Sequence, residues 1–208
     1  MIFMKKLLVP LVLFFGCLFF NHLHLNAQIP EVIVKEVHPQ LDLVPAEEMR
    51  VAGYSFKQKG YNKGGFDAHF TSCMLWVKPL MKAPFSEKVA NKFSEDFETG
   101  EFTPFLYHFA VDTRKKQLEA ADKTKYKQLE MGDPSIQKIK GNPAIVIPYK
   151  FKRDDNKLLK TVEKTNFIGR RAIVFMGDYL TEIIWEYVPD ENEWNNVCLE
   201  QIELLLIK

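Results

Sequence analysis

The stretch RRAIVFMGDYLTEIIWEY, from Arg170 to Tyr187, decides the fold. At its centre stands Gly177-Asp178. Glycine takes positive φ without steric cost, so a Gly-led pair suits a two-residue type II′ hairpin turn. Beyond the turn the chain alternates. Tyr179, Thr181, Ile183, Trp185 and Tyr187 fall on one face of a strand, and Leu180, Glu182, Ile184, Glu186 and Val188 on the other. The first set reads as the core side and the second as the solvent side. Glu182 and Glu186 then share an outward face, about 13 Å apart at strand rise, too far for a direct acid/base dyad.

Working backwards from this hairpin, similar strands recur with short breaks. Ile136–Lys140 is a strand and Gly141-Asn142 a turn. Pro143–Phe151 is a strand, followed by a turn at Asp154-Asp155-Asn156. Leu158–Ile168 is a strand, Gly169-Arg170 a turn, and Arg171–Met176 the strand that enters the hairpin. Loops this short connect only antiparallel neighbours, because parallel strands need a long crossover. The product is a meander. Forward of the hairpin, Pro189-Asp190 breaks the sheet and a final amphipathic helix follows. Its apolar stripe is Trp194, Val197, Cys198, Ile202 and Leu205. The adjacent sheet is the nearest surface on which to bury it.

Three segments of this ending, GNPAIVIPYKF (141–151), the hairpin itself, and NEWNNVCLEQIELLLI (192–207), resemble the PsbP/Mog1-like fold. The resemblance spans the last third to half of the chain and is one of pattern. It implies an antiparallel sheet flanked by helices, with a tryptophan-bearing helix packed late in the chain. It also implies a non-catalytic accessory or binding role, and it transfers no site residue.

Upstream the signals are more mixed. Residues 28–53 read as a lead-in, with a short strand at Val32–Val34 and breaks at Pro39 and Pro45. Gly60, Asn62, Gly64 and Gly65 are turn residues. Phe66–Val77 alternates as a strand. Ser86 is a good N-cap for a helix that carries Val89, Ala90, Phe93 and Phe97 and stops at Gly100. Phe102–Val111 is β-favouring, with Phe105, Tyr107 and Phe109 alternating on one face. Asp112–Glu130 reads as a charged, mostly solvated helix whose thin stripe is Leu118, Ala121 and Leu129. The fold class is therefore α+β: an antiparallel meander with flanking helices, in one domain over residues 54–208.

The N-terminus bears on the compartment. Lys5 and Lys6 precede an apolar run from Leu7 to Phe20, which Asn21, His22, His24 and Asn26 then break. About 14 apolar residues match the core of a cleaved signal and fall short of the ~20 that a spanning helix needs. Residues 1–27 are read as a signal peptide, cut after Ala27 to leave Gln28 first. A lipoprotein starting at Cys17 fits less well, because the run stays apolar past it. An uncleaved anchor fits less well again. Met4 is a more natural start than Met1. The chain is thus expected to be periplasmic or secreted, with no transmembrane span in its mature form.

Removing residues 1–27 takes away Lys5 and Lys6 and no acid, so the net charge moves from +1 to about −1. That balance gives no reason to expect nucleic acid, which calls for a clustered basic surface. Cys73 and Cys198 remain. In an oxidising compartment they are candidates for a disulfide, and otherwise for two buried thiols.

Motifs of catalysis are sparse. The chain has neither a Gly-x-Ser-x-Gly elbow nor a phosphate loop, and GYNKGG (60–65) lacks the spacing of one. Of the three retained histidines, His38, His69 and His108, none has another histidine at ligand spacing. Cys73 stands four residues beyond His69, about 13 Å away on a strand. No catalytic residue, cofactor or metal is assigned. The one charged feature is a basic cluster comprising Lys150, Lys152, Arg153, Lys157, Lys160, Lys164, Arg170 and Arg171, interrupted by Glu163. On neighbouring strands it would form either a solvated face or a basic strip for an anionic glycan, lipid headgroup or acidic partner. The expected function is a non-enzymatic binding or accessory protein of the bacterial envelope. The alternative is a small-ligand or lipid carrier with a pocket between sheet and helices. A hydrolase ranks third, because no nucleophile and base can be paired.

Overall fold

The computed structural model describes residues 31–45, 52–60, 72–82, 97–101, 104–120, 127–153, 165–189 and 193–207. The leader read in residues 1–27 lies outside them, as do His69, Ser86, Lys157, Lys160 and Lys164.

The elements are β1 (Val32–Val34), β2 (Leu41–Leu43), β3 (Tyr54–Gln58), β4 (Cys73–Val77), β5 (Met81–Lys82), α1 (Pro104–Tyr107), a π-helical turn (His108–Asp112) and α2 (Thr113–Ala120). They continue with β6 (Lys127–Met131), β7 (Ser135–Ile139), β8 (Asn142–Arg153), β9 (Thr165–Met176), β10 (Tyr179–Tyr187), α3 (Trp194–Leu204) and β11 (Leu205–Ile207). Among the described residues, nine strands make one sheet in the order β2-β3-β4-β10-β9-β8-β6, with β5 beside β10 and β7 beside β8. Every pairing is antiparallel. The protein is mostly sheet, with its helices laid on it.

The hairpin at the centre forms as its sequence dictates. Met176 pairs with Tyr179, and Gly177 takes φ +59°. The next hairpin back turns one residue earlier than expected. Lys140 and Gly141 both take positive φ, at 53° and 78°, the pattern of a type I′ turn, and Asn142 is already in β8. Lys140 then reaches across to α3, where its Nζ meets the Glu203 carbonyl at 2.6 Å and the Glu203 carboxylate at 3.2 Å. The last turn of α3 has no basic residue of its own, so this lysine supplies the cation that a helix C-terminus favours.

Four expectations are corrected. First, Gly169-Arg170 is not a turn, since β9 runs unbroken from Thr165 to Met176. Second, the even face of β10 is not solvated: Leu180, Glu182 and Glu186 are buried, as are their odd-face neighbours. The sheet is covered on both sides, and the polar residues of this face have buried partners. Third, the β-favouring run after Pro104 is helical, and α2 ends at Ala120 rather than near Glu130, where β6 lies instead. Strand preference follows from packing surroundings more than from the backbone, and here the segment covers a sheet that is already formed. Phe105, Tyr107 and Phe109 therefore do not share a strand face. Fourth, residues 28–53 are not merely a lead-in. β2 pairs with β3, β1 pairs with β11, and Val32 and Leu41 are buried in the main core.

Two cores result. On the odd face of β10, Val197, Cys198 and Ile202 of α3 pack over Leu75, Val77, Val146, Val174, Ile183 and Trp185. Ala144 and Ala172 lie in the same layer. On the opposite face, Val111 covers Ile145, Ile147, Ile173 and Phe175, while Leu118 covers Tyr149, Phe151 and Phe167.

Candidate functional site

On the α3 side of the sheet the helix does not cover everything. Between it, the end of β7 and the loop at residues 36–39 lies a groove of about 800 Å³, a size suited to a small ligand. Ile139, Val146, Trp185, Leu199 and Ile202 supply its apolar walls. Strand parity explains the floor. Trp185 of β10 pairs with Arg170 of β9, and Arg170 with Pro148 of β8, so Arg170 presents its side chain on the face that α3 covers.

Arg170 is the unusual residue of this groove. It makes no hydrogen bond or ion pair with any other described residue, and its Nε is fully buried. Of the acids that line the groove, Glu200 and Glu203 are engaged elsewhere, whereas Glu36 is exposed and only its backbone carbonyl is bonded. Glu200 accepts from His38 at 2.9 Å, and Glu203 pairs with Lys140. His38 Nδ1 accepts the Gln40 N–H at 3.2 Å, which fixes Nε2 as the donor to Glu200. The wall is also held from within. Gln201, fully buried, accepts the His38 N–H at 2.7 Å and donates to the Glu36 carbonyl at 3.0 Å, so it ties the loop to α3. Trp185 Nε1 donates to Asn195 Oδ1 at 3.3 Å. A groove with apolar walls, a fixed rim and a guanidinium that no described residue pairs can hold an apolar tail and meet an anionic head.

The opposite face carries a different kind of polar cluster. Arg171, next to Arg170 on the strand, points the other way. It is buried, and its Nη2 donates to Glu182 Oε2 at 2.8 Å and to Gln117 Oε1 at 3.3 Å. Lys78 closes on the same Glu182 oxygen. One row along, the Tyr149 hydroxyl donates to Glu186 Oε1 at 2.8 Å. Glu182 thus takes Arg171 and Lys78 as donors and Glu186 takes Tyr149, and the two remain four residues apart on one strand. Arg171 and Lys78 offset the charge of Glu182, Glu186 accepts from an uncharged hydroxyl, and the two carboxylates share no proton.

The basic cluster is dispersed. Arg170 and Arg171 face opposite sides of the sheet. Lys150 and Lys152 are towards the outer edge, with Lys150 opposite Glu130 of β6. Lys160 and the Arg153 side chain lie outside the described residues. His108 is exposed, 3.3 Å from Asp112 one helical turn on. Among the described residues, no three His, Cys, Asp or Glu side chains gather as a cation would require, and no helix is long and apolar enough to cross a membrane.

Arg170 is legible as a basic residue, but its place under α3 is not, because Gly169 reads as a turn. Treating Gly169 as a strand residue restores the parity that sends Arg170 to the face of Trp185 and Arg171 to that of Glu182. Lys78 and Gln117, which complete the cluster from its margin, give no local signal.

No family model and no curated protein matches the chain. Among solved structures it is similar to LpqN, a Mycobacterium tuberculosis protein described as involved in cell envelope biogenesis. The TM-score is 0.51 at 11% identity, over 89% of this chain and 87% of that one. At that identity the likeness is one of fold.

Proposed function

We propose that this chain is an exported, non-catalytic binding protein of the bacterial envelope, and that it carries a small amphiphile with an acidic head in the groove under α3. One observation carries this reading: a guanidinium without a partner among the described residues, at the floor of an apolar groove where Glu200 and Glu203 are paired with other residues. Arg170 is half-buried with its Nε shielded from water, and an anionic ligand would give that shielded donor a partner. The envelope role of LpqN and the signal-like leader support the compartment, and the resemblance of the C-terminal part to PsbP/Mog1-like accessory proteins supports a binding role. A pocket between sheet and helix favours a carrier over an accessory protein that docks through its surface.

Titration with dodecanoate, followed by tryptophan fluorescence and calorimetry, tests the reading. Saturable one-to-one binding is expected, with dodecanol binding at least tenfold more weakly. Arg170→Gln should remove that preference while leaving the fold intact. Equal binding of acid and alcohol, or an Arg170→Gln variant that keeps the preference, refutes it.

A further inference from the structure

Two thiols 125 positions apart in the sequence meet in the core. Cys73 opens β4, opposite Tyr187 of β10, and Cys198 lies in α3 beside Val197. Both are fully buried, and their Sγ atoms are 3.2 Å apart. A disulfide holds its sulfurs at about 2.0 Å, so closing the bond asks for a shift of roughly an ångström. A metal is a poorer explanation of the pair. A thiolate-bound zinc needs about four ligands, and among the described residues no cluster of even three is present.

The geometry points to an intramolecular Cys73–Cys198 disulfide, formed by exchange with a disulfide-bearing oxidant, that fastens α3 to β4. In the first step one cysteine thiolate attacks the oxidant's disulfide. A mixed disulfide forms and one oxidant thiolate leaves. In the second step the other cysteine thiolate attacks the protein sulfur of that mixed disulfide, which closes the Cys73–Cys198 bond and expels the second oxidant thiolate. The two thiol protons end on the two released thiols. The protein loses two electrons and the oxidant gains them.

The docked pair is poorly suited to begin this chemistry. The Cys73 thiol beside it, and then burial, push the Cys198 thiol far above its ordinary range, and no oxidant reaches either sulfur in the core. Exchange therefore runs while α3 is undocked, during folding or in a local opening. Once closed, the bond constrains the unfolded chain over a long loop. It also holds the helix that carries Asn195, Leu199 and Ile202, one wall of the groove. The bond does not depend on what the groove binds.

The test refolds the full chain from denaturant in a mixture of reduced and oxidised glutathione. Samples are quenched with acid and then alkylated with N-ethylmaleimide under denaturing conditions for intact-mass and peptide analysis. The expected product has lost two hydrogens, carries no maleimide at Cys73 or Cys198, and yields a peptide joining them. Reductant should lower the urea midpoint of this product and leave that of the Cys73→Ala/Cys198→Ala variant unchanged. Maleimide or glutathione on both Cys73 and Cys198 overturns the proposal, as does a midpoint indifferent to reductant.

Discussion

The Tyr149 hydroxyl reaches Glu186 over an intervening strand, across the bare backbone of Gly169. Tyr149 of β8 pairs with Gly169 of β9, and Gly169 pairs with Glu186 of β10, so the three form one row. Neighbouring strands are about 4.8 Å apart, and only a long side chain lying flat can bridge two such steps. A Cβ on Gly169 would meet the Tyr149 ring at 2.2 Å. The glycine is required for the space it leaves, since its φ is not in the left-handed region. Gly169→Ala should therefore displace the ring and cost about 1–3 kcal/mol, as overpacking of a tight core does. Urea melts measure the cost, and a variant that melts with the parent would show that the ring has room to move.

The same row predicts a second, separable effect. Tyr149→Phe keeps the ring, its stack on Phe151 at 5.8 Å and the space above Gly169, and removes only the donor to Glu186. Taking a donor from a buried carboxylate costs about 1–3 kcal/mol. The double variant Tyr149→Phe/Glu186→Leu should recover part of that loss. Additive losses in the double variant would indicate that the hydroxyl and the carboxylate act independently.

Arg171, Glu182 and Lys78 give a sharper case. Arg171 and Glu182 are both buried, so removing one leaves the other charge inside the sheet. Arg171→Met should cost about 3–5 kcal/mol. Lys78 is about a third exposed and can turn towards water, so Lys78→Met should cost about 1 kcal/mol or less. Arg171→Met/Glu182→Leu should be more stable than Arg171→Met alone. Chemical denaturation of the three variants decides, and equal losses for Arg171→Met and Lys78→Met would contradict this ranking.

These clusters mark where the sequence was readable. Period-two alternation located β10, a short apolar run between turn residues located β8, and Gly177-Asp178 located the turn between β9 and β10, because those signals are local. Burial of the even face of β10 was hidden, since Glu182 and Glu186 look solvated until their donors are known. Those donors come from Lys78, Tyr149 and Arg171, on three other stretches of chain. Gly169 reads as a turn because glycine in a strand has two meanings, and only Tyr149 across the ladder distinguishes them. The pairing of β1 with β11 joins residues 32–34 to 205–207, a contact that no local pattern records. The groove inherits both limits, since its floor depends on the parity of Arg170 and its rim on the loop that Gln201 tethers.

The last prediction concerns what holds α3 in place. The helical stripe in the sequence placed Trp194 in the packed face, yet that residue is only partly buried, whereas Val197, Cys198, Gln201 and Ile202 are the buried side chains of the helix. The greatest loss should therefore come one and two turns further in. Ile202→Ala empties a site packed against the sheet and should cost about 2–5 kcal/mol. Trp194→Ala, at the margin of the same cluster, should cost less than Ile202→Ala. Glu200→Ala removes an exposed partner of His38 and should stay within about 1 kcal/mol. Because Ile202 also lines the groove, its loss should weaken dodecanoate binding too, whereas Trp194→Ala should not. Urea melts and the binding titration on the same three proteins provide the check. If Trp194→Ala proves the costliest substitution, the helix docks chiefly through its first turn, and the packing described for its centre does not hold it there.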